Sequence, residues 1–408
     1  MPLIEPFAGL RPAPGRAADV AAPPYDVLST DEARLRAEAK PWSFLHISKP
    51  EIDLPPDTDP HAPQVYAKAA ENLGRMLDAG ILVRDAAPCY YAYRLQMGEH
   101  VQTGLVAAAS VAAYDSNRIR KHEYTRPDKE DDRVRQIEAL DAQTGPVLLA
   151  SPESATAEAL LELAAGGEPV IDITADDGIR HTLWVVDDAS LMRRITEAYD
   201  VLPALYIADG HHRSAAASRV AAARRRAGGE QGSDYFLSVI FPQRQMRIMD
   251  YNRVVRDLAG MSVEVFLARL EPAFRVAAAA APVKPQRPGE FGLYLAGRWY
   301  SLHINPALLP RDPVMRLDVS LLTEHLLAPL LGIADLRRDQ RIDFVGGIRG
   351  LGELVRRVDS GEMAAAFALH ATRMEELMAV ADSGQVMPPK STWFEPKLAD
   401  GLVSHLLD

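Results

Sequence analysis

The stretch from Ala204 to Ser218, ALYIADGHHRSAAAS, limits what this chain can fold into more than any other. Ala204-Leu205-Tyr206-Ile207-Ala208 is an apolar run with the length of a buried strand, and the alanine-rich residues after Arg213 favour a helix. Between them stands Asp209-Gly210-His211-His212-Arg213. A strand that turns through glycine into a helix leaves the first helical N–H groups unpaired, with the positive end of the helix dipole behind them. That makes an anion site. Arg213 adds a planar fork of donors suited to phosphate or carboxylate, and His211 and His212 can change state near neutral pH. Asp209 is an acid beside an anion site and calls for a metal ion or a proton. A plainer role for Asp209 is to cap the helix, with the histidines packed or hydrogen-bonded.

The rest of the chain narrows the setting. Its 408 residues suffice for two or three domains, and 48% apolar with 25% charged residues is an ordinary soluble composition. A formal net charge of −11 argues against a nucleic-acid partner. The single cysteine, Cys89, excludes an internal disulfide and a cysteine-rich metal site, and fits a reducing compartment. The first residues, MPLIEPFAGLRPAPG, hold prolines and an early glutamate where an export signal needs a basic start and an apolar run. No apolar segment approaches the length of a membrane helix. The expectation is a cytoplasmic protein acting on a small molecule, without nucleic acid or membrane as partner.

Up to about Val27 the chain is rich in proline and small residues and reads as extended. Ser29 or Thr30 can cap a helix through about Ala39, Trp42 to Ile47 looks like a strand, and a helix is expected over Pro63 to Ala79. Strands over Cys89–Gln96 and Gln102–Ala113, with Gly98 between, suggest a hairpin. Further strands are expected at Pro146–Ala150, Thr182–Val186 and Tyr235–Phe241, helices at Ala155–Ala165 and Leu191–Tyr199, and a flexible loop over 228–232. Strands interspersed with helices predict a mixed α/β (α+β) first domain over residues 1–260. Past Ser262 an alanine- and proline-rich linker (Ala277 to Pro288) precedes an expected hairpin, Gly292–Ala296 with Trp299–His303. A C-terminal α+β domain over 261–408 is the expectation.

Two other stretches can carry chemistry. Asn117 to Thr144 is the most charged part of the chain; its helix, about Asp128 to Asp141, could be held on the surface by pairs such as Asp131 with Arg135. The loop before it brings Lys121, His122, Glu123 and Arg126, with Lys129 just beyond, and these charges need water or a ligand for balance. Near the C-terminus, MPPKSTWFEPKL offers Lys390, Ser391, Thr392 and Lys397 as donors to an anion, with Trp393 and Phe394 as anchors. It is either a docking strap or a substrate or phosphate contact. No G-x-x-x-x-G-K-[ST], H-E-x-x-H, C-x-x-C or G-x-S-x-G motif occurs.

Taken together, PFAGLRP, PPYDV, SFLHISKPEIDLP, KHEYTRPDKEDDR, AQTGP, ADGHHR, YNRVVRDL, IDFVGG and MPPKSTWFEPKL resemble the bacterial and archaeal DUF1015 family over essentially the whole chain. DGHHR by itself resembles the phosphate-binding motif of the ParB/sulfiredoxin-like superfamily. The free serine kinases of that superfamily hold nucleotide phosphates with it and activate the hydroxyl of free serine with a glutamate. DUF1015 genes also tend to sit near serine-biosynthesis genes. The resemblance implies a ParB/sulfiredoxin-like mixed-sheet core with added elements. It also implies a kinase that uses ATP or ADP with Mg²⁺ to phosphorylate the hydroxyl of a small metabolite, free L-serine first among them. On that basis the N–H groups of Gly210 to His212, His212 and Arg213 would hold phosphates, and Asp209 would bind Mg²⁺ or orient the acceptor hydroxyl. Glu123 would be the general base, with Asp128 and Glu130 as alternatives, while Lys121, Arg126 and Lys129 would neutralise phosphoryl charge. Two other functions stay open: a ParB-like nucleotide-binding regulator without turnover, and phosphotransfer or phosphatase chemistry through a phosphohistidine at His211 or His212.

Overall fold

Gly98 makes the expected turn, and the strands it joins, β2 (Tyr90–Met97) and β3 (His100–Ser110), pair antiparallel from Met97 with His100 to Tyr91 with Val106. They lie within a nine-stranded sheet completed by β1 (Ile4–Glu5), β4 (Ile119–Arg120), β5 (Val147–Ser151), β6 (Ile171–Thr174), β7 (Arg180–Val186), β8 (Leu205–Asp209) and β9 (Tyr235–Pro242). The strand order is β4-β8-β5-β9-β3-β2-β7-β6, with β1 beside β3. β8 runs parallel to β4, and β9 parallel to β5; the other pairs are antiparallel. The sheet is therefore mixed, and the fold is mixed α/β.

This computed structural model describes residues 2–228 and 231–407, so part of the loop expected over 228–232 lies outside the described residues. The chain divides into two compact units, one of residues 2–246 with 396–407 and one of Arg247–Glu395. The first break thus falls before the change of texture past Ser262, and the last residues return to the first unit.

The first unit also holds helices α1 (Thr30–Ala37), α2 (Pro63–Asp78), α3 (Pro127–Leu140), α4 (Ala155–Ala164), α5 (Ala189–Asp200) and α6 (His211–Arg226), of which the last three pack on the sheet. Of the two expected caps, Ser29 and Thr30, it is Ser29 that caps α1, and it completes a capping box with Glu32. The main core joins Leu105, Leu149, Ile207 and Ile240 of the strands to Leu160 and Leu161 of α4, Tyr199 of α5, and Ala217 and Ala221 of α6. Alanine on α6 lets that helix lie close on the sheet.

The second unit is built on a six-stranded antiparallel sheet, β10 (Tyr251–Val255), β11 (Phe274–Ala279), β12 (Glu290–Leu295), β13 (Arg298–Ile304), β14 (Ile342–Gly346) and β15 (Ala365–Leu369), in the order β11-β13-β12-β15-β10-β14. Helices Val263–Leu270, Gly350–Asp359 and Met374–Asp382 accompany it.

Three expectations are corrected. Trp42–Ile47 is not a strand: Leu45–Ser48 is a short helix, with Phe44, Leu45 and Ile47 all in a second core cluster. A short apolar run bounded by proline does not distinguish the two. Ala277–Ala279 is not linker but the end of β11, held by the register of Ala277 with Ser301 and Ala279 with Trp299, so pairing overrides the low strand propensity of alanine. Asp131 pairs with Arg219 of α6 at 2.6 Å, and Glu130 pairs with the same guanidinium at 3.2 Å. The charged face of α3 is thus tied to α6.

Candidate phosphate and proton-transfer site

The central strand-to-helix turn forms as its residues require. The register of β8 against β5 shifts between Ile207 and Asp209, a bulge that re-aims the last side chain of the strand. Gly210 then sits at φ +101°, where an L side chain is strained, and a Cβ there would lie 3.3 Å from the Val147 Cα. α6 starts at His211, and no side chain caps it. Asp209 is therefore not the cap. The Ser214 N–H closes the first turn onto the Gly210 carbonyl at 3.0 Å, which leaves the N–H groups of His211, His212 and Arg213 outside the helix's own ladder.

The Asp209 carboxylate instead meets two cations. The Lys397 ammonium donates to Oδ2 at 3.2 Å, and the Arg213 guanidinium lies 3.6 Å from Oδ1. Burial alone would raise this carboxyl, but Lys397 and Arg213 hold it well below the usual carboxylate range. Arg213 is itself nearly buried; it donates to the Pro146 carbonyl and also lies 3.6 Å from Asp26.

The charged loop before α3 comes to the same turn. Glu123 Oε2 lies 3.9 Å from His211 Nδ1, and the His122 backbone N–H donates to His211 Nε2 at 3.3 Å. The Arg126 N–H donates to His212 Nε2 at 3.1 Å. An imidazole that accepts at Nε2 carries its proton on Nδ1 when neutral, so His211 presents Nδ1–H toward Glu123. His122 stands edge-on to His211 with ring centroids 4.4 Å apart. Its Nδ1 is buried without a hydrogen-bond partner among the described residues. Burial pushes His122 down to about 4, holds His211 well below its ordinary value with help from His122, and lowers His212. All three imidazoles are neutral at pH 7, so this cluster can relay a proton but adds no positive charge.

The other candidate residues are distributed unevenly. Lys121 places its ammonium 3.8 Å over the Tyr114 ring. Arg126 is exposed and pairs with Asp128 at 2.7 Å, and Lys129 is exposed one turn along. Glu130 accepts from the Thr125 hydroxyl as well as from Arg219. Both alternative bases are thus engaged in ion pairs, Asp128 with Arg126 and Glu130 with Arg219. Lys390, Ser391 and Thr392 belong to the second unit, where the Lys390 carbonyl accepts from Arg253 and the Ser391 hydroxyl donates to the Pro388 carbonyl. Among the described residues no group of three or more histidine, cysteine or carboxylate side chains is placed to hold a metal ion. Sequence reasoning placed His122 in the candidate loop without giving it a role, and missed Asp26 as a partner of Arg213. Their only signal was their place inside KHEYTRP and PPYDV.

Comparison with curated proteins gives no match. Among solved structures the chain is similar to a free serine kinase in complex with AMP, at 14% identity and a TM-score of 0.36 over 73% of this chain and 92% of that one. It is similar to SbnI with C-terminal truncation from Staphylococcus aureus, at 12% identity and a TM-score of 0.38 over 72% and 85%. A conserved hypothetical protein from Pyrococcus furiosus is similar at 15% identity and a TM-score of 0.34 over 73% and 95%. Likeness at these scores carries no argument about activity. The family described as "Protein of unknown function (DUF1015)" matches residues 4–320, well over half of the sequence and including both the KHEYTRP loop and the DGHHR turn, and the chain belongs to that family.

Proposed function

We propose that this protein is a nucleotide-dependent phosphotransferase that moves a phosphoryl group from ATP or ADP to the hydroxyl of a small metabolite, with free L-serine the leading acceptor. One observation carries this: a carboxylate, Glu123, lies 3.9 Å from a neutral histidine at the open N-terminus of α6. An uncapped helix start attracts phosphate, and a carboxylate beside it is what an attacking alcohol needs.

The first-turn N–H groups of α6 hold the terminal phosphates. The acceptor oxygen attacks the terminal phosphorus, the bond to the bridging oxygen breaks, and the nucleotide leaves one phosphate shorter. The hydroxyl proton passes to Glu123, which the Nδ1–H of His211 steadies by facing it. Arg126 and Lys129, both exposed, meet charge at the rim. Mg²⁺ bound with the substrate phosphates would screen their oxygens, and it would reach Asp209 only by displacing Lys397 or Arg213 from it. Asp209 keeps its charge because Lys397 and Arg213 hold its proton off.

The test is Mg²⁺-dependent consumption of ATP or ADP with L-serine and a panel of hydroxylated metabolites, products being identified by phosphorus NMR. Phosphoserine, or another phosphate ester from the panel, is the expected product. Saturable nucleotide binding with no ester formed would overturn phosphoryl transfer in favour of a regulator; absence of binding would remove the anion site as well.

A further inference from the structure

Arg213 has a second face. It helps line a cavity of about 40 Å³ in the first unit, together with Tyr25, Ser48, Arg133, Gly145 and Asp400. Tyr25, Ser48, Arg133, Gly145 and Asp400 come from PPYDV, HISKP, the middle of α3, AQTGP and the last residues of the chain, and the phosphate and proton chemistry gives none of the five a role.

The walls are largely apolar, with Val147, Phe236 and Leu237 among them, and carry a few polar groups. The Ser48 hydroxyl is buried without a hydrogen-bond partner among the described residues, an unfavourable state unless something in the cavity meets it. Arg133 lies 4.0 Å over the Tyr25 ring and pairs with Asp132 at 2.6 Å, so one cationic wall is fixed in place. Arg213 supplies the second. Asp400 is 2% exposed, a carboxyl group with almost no access to water. Gly145 keeps the space open: a Cβ there would stand 3.3 Å from Arg213 Cδ and 3.8 Å from Asp400 Oδ1.

Size and charge select the occupant. If one water needs about 10–15 Å³ by this measure, the cavity takes about three waters, or roughly 90 Å³ of liquid. That is the bulk of a small amino acid and far below a nucleotide. Each guanidinium carries five N–H donors, more than its own carboxylate pairs use, which suits a ligand carboxylate, and a buried carboxyl suits an ammonium.

We propose that the cavity binds a small α-amino acid as its zwitterion, with the carboxylate toward Arg133 and Arg213 and the ammonium toward Asp400. Its use as the acceptor pocket rests on the phosphoryl-transfer function proposed above, and Arg213, which lines the cavity and lies 3.6 Å from Asp209, links the two places. Burial pushes Asp400 up to about 7, against the pull of Arg213 and with the push of Asp26, so an ammonium ligand gains from making this carboxyl ionise.

Calorimetric titration of the full chain tests the pocket apart from the chemistry. L-serine and L-alanine are expected to bind, while glycerate and ethanolamine, each lacking one charge, bind about tenfold more weakly or worse. Ser48→Val and Asp400→Asn should each weaken L-serine by about tenfold and leave ADP affinity within about twofold. Equal L-serine affinity in the wild type and both variants would overturn the pocket, as would no amino-acid binding by the wild type at about 10 mM. Amino-acid binding that responds to both variants, without phosphate ester from any nucleotide, would support the pocket and refute the phosphotransferase alone.

Discussion

Lys397→Met removes the ammonium that reaches Asp209 from near the C-terminus. At 3.2 Å and an effective dielectric of about 20, the gross attraction is about 5 kcal/mol. The side chains are 23% and 32% exposed, so solvent screening and the desolvation of Lys397 cancel more than half of it, and Arg213 remains as a second partner. The expected net loss is about 1–2 kcal/mol. A double-mutant cycle with Asp209→Asn, followed by urea unfolding at pH 7.5, isolates the pair from the side chains' other contacts. The coupling energy should be about 1–2 kcal/mol, with the single Lys397→Met variant the less stable partner because it leaves Asp209 less well paired. A coupling energy below about 0.3 kcal/mol would show that the contact contributes nothing and that Arg213 alone balances the acid.

Glu123→Gln should keep nucleotide affinity while turnover falls by about a hundredfold or more; near-normal turnover would move the base elsewhere. Gly210→Ala forces a side chain into φ +101° and against the Val147 backbone, and should cost about 1–3 kcal/mol in urea unfolding and weaken ADP binding; an unchanged unfolding midpoint would refute the strained-turn argument. Burial pushes Asp318 up to about 7, above the value of an unfolded aspartate, so its contribution to stability is full below about pH 4 and is lost as pH rises toward 7. Asp318→Asn, which can still accept from the Gly289 N–H, should match the wild type near pH 4 and be more stable by up to about 4 kcal/mol above pH 7; a pH-independent difference would contradict the shift.

The parts of this fold that were legible are those whose instructions are local. The run Leu205–Asp209, the glycine after it and the alanines of α6 each specify their own conformation, as does Gly98 between β2 and β3. Phe44, Leu45 and Ile47 carry no such instruction, because an apolar run of that length is equally at home in a strand or a helical turn, and only the core around it decides. The site divides the same way. The strand-to-helix turn could be read from a dozen consecutive residues, whereas the approach of His122 to His211 joins positions 89 apart and that of Lys397 to Asp209 joins positions 188 apart. No periodicity reports such contacts. The cavity beside Arg213 was less legible still, since Ser48 and Asp400 are unremarkable residue types whose meaning lies only in what buries them.

The electrostatics of the turn have a consequence for how an anion could use it. Arg213 and Lys397 are matched by Asp209 and Asp26, and His122, His211 and His212 stand neutral, each lowered mainly by burial. What remains for a phosphate is the set of N–H dipoles at the start of α6, whose attraction amounts to about half an elementary charge at the helix end. Such a turn can orient a polyphosphate but cannot neutralise it. On the proposed function the counter-charge would arrive with the nucleotide, since Asp209 is already balanced by two organic cations. The same neutrality means that His211 faces Glu123 as a hydrogen-bond donor and not as a cation.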